Sequence, residues 1–180
     1  MTSQPFLYVA VCASGIADDV GKLISAAQEE GWGVGVVVTP NAMGFIDRAG
    51  IEEQTGYPIR SAWRPPGIPA SLPPADAIAV APATFNTINK WADGHADTLL
   101  LGILTESYGL GIPVAAQPYI NSAQAAHPAY AANVERLKAM GVLFGDYVPH
   151  KPKVGGGRDR YDWSTPLRLL RPVLEAKTEV

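Results

Sequence analysis

Residues 33–38 read Gly-Val-Gly-Val-Val-Val, a run with no polar position in it. A strand with one wet face alternates polar and apolar residues, so an unbroken run is buried on both faces, as strands of a parallel sheet are. Leu7 to Cys12 is a similar run upstream, and a helical pattern from Ala17 to Glu30 separates the two. Downstream the alternation continues with a mixed helical segment near Ala42 to Glu53, a short strand near Ile59, and a strand at Ala77 to Ala81. Helices across Asn86 to Leu104, a strand at Pro113 to Ala116 and a helix from about Pro128 to Met140 follow. Strands alternating with helices predict an α/β fold with a doubly wound, mostly parallel, Rossmann-like sheet. A single domain is expected from 180 residues, with residues 1–150 forming its body and 151–180 a glycine-containing flap and C-terminal helix of the same domain.

Composition narrows the function classes. Fourteen Lys and Arg against 17 Asp and Glu leave a net charge of −3, which offers no footprint for nucleic acid. The last thirty residues are mildly basic, and an anionic ligand or a neighbouring subunit suits them better than a membrane. No Lys or Arg precedes Lys22, and the apolar run from Phe6 to Ala13 is too short for a signal peptide or a span, so a cytoplasmic protein without membrane contact is expected. Cys12 has no partner cysteine, and His95, His127 and His150 lie far apart in the chain, so no metal site is expected.

Ligands of doubly wound sheets bind beyond the carboxyl ends of the strands. The candidate loops are therefore Ala13-Ser14-Gly15, Thr39-Pro40-Asn41, Pro82 to Asn86 and Gln117 to Asn121, and they should converge on one cleft. Ser14 and Gly15 stand just before a helix, where free N–H groups and the helix dipole favour a phosphate, though helix capping by Ser14 is the plainer reading. The turn is not GxGxxG, so it lacks the glycine spacing that admits a pyrophosphate. Between Arg64 and Asp76 five prolines impose a loop.

Residues 81–101, APATFNTINKWADGHADTLLL, resemble the APATANTIAKLAxGIADNLL-type motif of the homo-oligomeric flavin-containing cysteine decarboxylases, the phosphopantothenoylcysteine decarboxylase-like family. CASGIA is similar to that family's TGSIA turn, VVVTPNA to its VxxTxxA segment, PYINSAQAAHP to its PxMNxxMWxxP, and VGGGR to its GxGR segment. The resemblance implies FMN, phosphate at the first turn and isoalloxazine against the APAT segment at a subunit boundary. Carried onto this chain, it implies cofactor contacts from Ser14, Gly15, Thr39, Asn41, Ala83, Thr84 and Asn86. Asn86 also reads as a helix N-cap. On the substrate side it implies Tyr119, Asn121, Lys151 and Arg158, and for assembly a homotrimer or multiple of three.

The departures from the family pattern bear on chemistry. The family's base His precedes the strand that ends in APAT, yet no His lies between Met1 and Trp91 here. Both Met and the Trp of PxMNxxMW are replaced, and the position of the family's terminal Cys falls near Lys151. Asn121, Asp76 and His127, the last two from a neighbouring subunit, are the candidates for a catalytic role, and a cap or surface contact is the plainer reading of His127. The expected function is flavin-dependent redox chemistry on a small thiol- or carboxylate-bearing substrate rather than the standard decarboxylation. Two alternatives stay open: a non-enzymatic flavin-binding or regulatory subunit, and a flavin prenyltransferase-like protein, for which only Arg158 and Arg160 suggest a prenyl-phosphate site.

Overall fold

The computed structural model describes residues 4–154 and 156–178. Strands β1 (Phe6–Val11), β2 (Gly33–Val38), β3 (Ala77–Ala83), β4 (Val114–Pro118) and β5 (Leu143–Phe144) form one sheet in the order β2-β1-β3-β4-β5. All its pairings are parallel. A parallel neighbour can be reached only by crossing a face of the sheet, and the crossings supply the helices. These are α1 (Gly21–Glu29), α2 (Arg48–Thr55), α3 (Phe85–Ala92), α4 (Leu99–Leu110), α5 (Ser122–Ala125), α6 (Pro128–Ala139) and α7 (Thr165–Thr178).

Successive side chains of a strand point to opposite faces, so each central strand feeds two cores. Leu7, Val9 and Val11 join Val34, Val36 and Val38 on one face, covered by Leu23 and Ile24 of α1 and by Leu167, Leu170 and Leu174 of α7. Ala10, Val37, Ile78 and Val80 face the other way, against Ile88 of α3, Leu100 and Leu104 of α4 and Leu137 of α6. This double burial is the physical content of the GVGVVV run, each valine contributing roughly 1.5–3 kcal/mol. The C-terminal helix thus shares the core of β1, and Lys177 pairs with Asp76 at 2.8 Å to tie it to the start of β3, completing a single α/β domain.

One local expectation is corrected and one strand is added. The strand near Ile59 is reduced to one bridge between Arg60 and Val37, because the proline-rich stretch follows at once and carries the chain off the sheet edge. The edge strand β5 takes its place in the strand count, and its two residues are too few to make a periodic signal. The helices expected across 86–104 are indeed two, parted at Gly94, which adopts a positive φ of 77°, and α4 starts with Thr98 as N-cap accepting from Leu101 N. The proline-rich loop has no regular element; Leu72 is buried against Gly35, and Trp63 lays its indole over Gly102 of α4.

Candidate functional site

The chain runs from β1 outward to β2 and then returns to the other side of β1 as β3. Strand order reverses between β1 and β3, and the loops that leave these two strands part there to open a crevice. A cleft of about 610 Å³ lies at this point, within the usual range of small-molecule sites. All four expected loops reach it. Ser14 and Gly15 enter from the first, Thr39 and Asn41 from the second, Thr84 and Asn86 from the third, and Tyr119 from the fourth.

Backbone contacts hold the loops in register. Ala13 N donates to Thr39 Oγ1 at 3.3 Å, Cys12 N to Pro82 O at 3.3 Å, and Tyr119 N to Ala83 O at 2.9 Å. Ala83 itself is fully buried in β3 and backs the wall instead of lining it. Thr84, not Asn86, is the N-cap of α3, with Oγ1 turned to Thr87 at 3.3 Å; Asn86 is one residue into the helix and exposed toward the cleft. Below the wall Cys12 is fully buried, and burial pushes its thiol up, so it stays protonated.

Several expected site residues do other work. Arg158 Nη2 donates to Gly15 O at 2.6 Å and to Asp18 at 2.8 Å, and Nη1 reaches Asp19 at 2.9 Å. The guanidinium is thereby spent on the first turn, and it pins the end of the glycine-rich segment over that turn; Gly155 of this segment lies outside the described residues. Asn121 caps α5, its Oδ1 accepting from Gln124 N at 2.9 Å within a capping box. His127 caps α6, Nδ1 accepting from Ala129 N at 3.1 Å, and stands edge-on to Phe85. Asp76 accepts from Phe6 N and pairs with Lys177, which places it at the amino end of the sheet, opposite the cleft of its own chain. Lys151 is exposed and is not among the lining residues.

The structure also brings in residues that the sequence pattern did not mark. Lys90, ion-paired with Asp97, lines the cleft with Thr98, Gln124 and His150. His150 arrives through a single bridge: Ser122 N donates to His150 O at 2.8 Å and His150 N to Ile120 O at 3.3 Å. Its ring stacks on Tyr119, centroids 4.5 Å apart, and Nδ1 lies 2.8 Å from Tyr147 Oη. Tyr119 Oη donates to Gly156 O at 2.6 Å, and Tyr161 Oη to Gln117 O at 2.8 Å. No local signal announces His150, because its neighbours are supplied by β4 and by the turn after β5.

A parallel sheet whose cleft sits at the β1/β3 reversal is the arrangement of doubly wound α/β proteins that bind ligands beyond their strand ends. The chain belongs to the Flavoprotein family, whose model matches residues 2–155. It is 39% identical over 70 residues to the coenzyme A biosynthesis bifunctional protein CoaBC of Thermococcus kodakarensis, a match covering 39% of this chain and 17% of the relative. To the Escherichia coli K12 protein of the same name it is 28% identical over 128 residues, 68% of this chain and 31% of the relative. The chain therefore spans less than a third of the length of these curated relatives. Among solved structures, the FMN binding protein AtHal3 superposes with a TM-score of 0.74 at 21% identity, covering 97% of this chain and 98% of the other. The epidermin biosynthesis protein EpiD from Staphylococcus aureus superposes at 0.67 with 24% identity, covering 80% and 84%.

A flavin is the cofactor the family implies, and the cleft residues fit one. Among the described residues Ser14 Oγ is buried without a hydrogen-bond partner, which costs about 1–3 kcal/mol unless a ligand supplies the partner. Beside it, nothing lies within 4 Å of where a Cβ on Gly15 would stand, leaving the backbone open to close approach. Elsewhere on the wall Thr39, Asn41, Thr84, Asn86 and Gln124 are uncharged and able to donate or accept, as a heteroaromatic ring edged with carbonyls and nitrogens requires.

Proposed function

We propose that this protein binds FMN and uses it for redox chemistry on a small thiol- or carboxylate-bearing molecule. The observation that carries the reading is the buried Ser14 hydroxyl, without a partner among the described residues, in the lining of a 610 Å³ cleft and in the turn where a phosphate is expected. A single phosphate suits this turn, since it lacks the glycine spacing for a pyrophosphate; that favours FMN over FAD or NAD. Ser14 and Gly15 would hold the phosphate, and Thr39, Asn41, Thr84 and Asn86 the remainder. When bound, the flavin supplies a two-electron acceptor. The chain's own residues bind and orient: Arg158 anchors the 156–161 segment to the first turn, and Tyr119, Tyr147 and Tyr161 pack on one another beyond the end of β4.

The standard decarboxylation of 4′-phosphopantothenoylcysteine is not the proposed reaction. The family's base His has no counterpart, since the chain has no histidine before His95, and loss of a general base from that position costs about 10²- to 10⁴-fold. Arg158, committed to Asp18 and Asp19, is a poor candidate for gripping a substrate anion. We also propose a homotrimer, or a multiple of three, acting in the cytoplasm.

Denaturing the purified or reconstituted protein and identifying the released chromophore tests the cofactor. FMN is expected; release of FAD, or no flavin bound after reconstitution, rejects the reading. Carbon dioxide release from 4′-phosphopantothenoylcysteine at about 1 s⁻¹, an ordinary enzyme rate, would overturn the claim about chemistry. Light scattering that reports only monomer at micromolar concentration would count against the trimer.

A further inference from the structure

Among the described residues lining the cleft, those that titrate are Lys90, Tyr119 and His150. Lys90 is held by Asp97, and the Tyr119 hydroxyl is spent on Gly156 O. The His150 ring has Nδ1 against Tyr147 Oη and one face against Tyr119, and among the described residues its Nε2 has no hydrogen-bond partner. We propose that His150 is the proton-transfer residue of this cleft, accepting the proton of a substrate thiol at Nε2 while Tyr147 orients the imidazole as a positioning residue. The inference rests on the flavin reading above.

In this step the S–H bond breaks with its electron pair left on sulfur, and an N–H bond forms at Nε2. A neutral thiol and a neutral imidazole become a thiolate and an imidazolium, with no change of oxidation state. The role requires the tautomer in which Nδ1–H donates to Tyr147 Oη, 2.8 Å away, so that the lone pair is on Nε2. Chemistry selects a thiol over a carboxylic acid as the group deprotonated. A carboxyl is already ionised near neutral pH, whereas a thiol with a pKa of about 8.5 needs a nearby base.

The surroundings agree with that role. Burial first, and then the charge of Arg160, hold the His150 imidazole below its ordinary value, so it is neutral and able to accept a proton at neutral pH. Burial and Tyr119 push the Tyr147 phenol up to about 12, so it keeps its proton throughout the working range. Tyr119, Tyr147 and Arg160 are the titratable and charged groups acting on the ring. The other two histidines do not line the cleft, and His127 has its Nδ1 committed to a helix cap.

The test uses FMN-loaded protein with cysteamine, N-acetylcysteine and dithiothreitol as probes. Diethylpyrocarbonate acylates accessible neutral imidazoles, and mass spectrometry reads each histidine separately. His150 is expected to be protected by at least one of the thiols while His95 and His127 keep their reactivity. In parallel, flavin bleaching by dithiothreitol is followed anaerobically against pH; the dithiol closes to a disulfide as two electrons pass to the flavin. The native protein should lose rate on the acid side, below about 6.5. His150→Gln should abolish that limb and slow bleaching by about 10²- to 10⁴-fold, and Tyr147→Phe should move the limb. A native rate and profile in His150→Gln, or no protection of His150 by any of the three thiols, overturns the inference. If the native protein binds no FMN, the flavin reading fails and takes this one with it; if it binds FMN and His150 has no effect, only this one fails.

Discussion

Ser14 concentrates the physical argument for the cofactor in one atom. A buried hydroxyl without a partner is a local defect in the free protein, and it becomes an asset when an acceptor-rich anion fills the turn. Ser14→Ala should therefore act with opposite signs. Thermal unfolding of the free protein should be unchanged or slightly raised, while a fluorescence titration should find FMN bound roughly 10- to 100-fold more weakly, the worth of a hydrogen bond to a charged group. Equal loss of stability and of affinity would mean that Ser14 is a structural cap. Arg158 makes the complementary point: its ion pairs with Asp18 and Asp19 neutralise two carboxylates beside a turn that would otherwise repel a phosphate. Burial works against ionisation of Asp19, but Lys22 and Arg158 outweigh it and hold the carboxyl below its usual value.

Among the elements, α7 is attached through tight contacts at its entry. Gly145 sits where β5 turns toward it, and a Cβ there would strike Gln117 Oε1 and Thr165 Cγ2. Both neighbours are buried, so neither can swing away. Gly145→Ala should cost about 1–3 kcal/mol by overpacking, visible as a lower denaturant midpoint with an unchanged slope. At the entry to the same helix, Arg168 and Ser164 bind Asp162 and hold its carboxyl at about 2, below the ordinary 3.8. A depressed folded-state pKa stabilises above the unfolded value. That contribution is complete at neutral pH and is lost as pH falls from about 3.8 through about 2. The Asp162 side chain is 49% exposed, so solvent screening limits the effect to about 1 kcal/mol or less. Asp162→Asn should melt below the native protein near neutral pH, with the gap closing in acid; a gap that is constant with pH would mean that the carboxylate's charge is irrelevant.

For the molecule as a whole, the cleft couples binding to folding. Its walls come from loops after β1, β2, β3 and β4, which are assembled only in the folded chain. A ligand that binds only the folded state stabilises by about 2.7 kcal/mol at a hundredfold excess over its Kd. FMN should therefore raise the melting temperature by roughly 5–10 °C for a chain of this size. Scanning calorimetry with and without FMN checks this, and riboflavin, lacking the phosphate, should give a much smaller rise.

The layout of the sheet was legible from local pattern, because burial on both faces of a parallel strand demands continuous apolar residues and leaves a mark within six positions, as at Gly33–Val38. The loops that reach the cleft were legible for the same reason: once strands are placed, the residues after their carboxyl ends follow, and Ser14, Thr39, Asn41, Thr84, Asn86 and Tyr119 all line it. What each polar residue does there depended on partners remote in the chain. Arg158 reads as a substrate clamp, and its pairing with Asp18, 140 positions away, leaves no local trace; Asp76 reads as a base supplied by a neighbouring subunit, and within its own chain it lies at the end of its strand opposite the cleft. His150 carried no signal at all, since a parallel bridge to Asn121 and the rings of Tyr119 and Tyr147 bring it to the site. Periodicity records how a segment meets solvent and core; hydrogen bonds and ion pairs between distant segments leave no periodic trace, so only the folded chain assigns them.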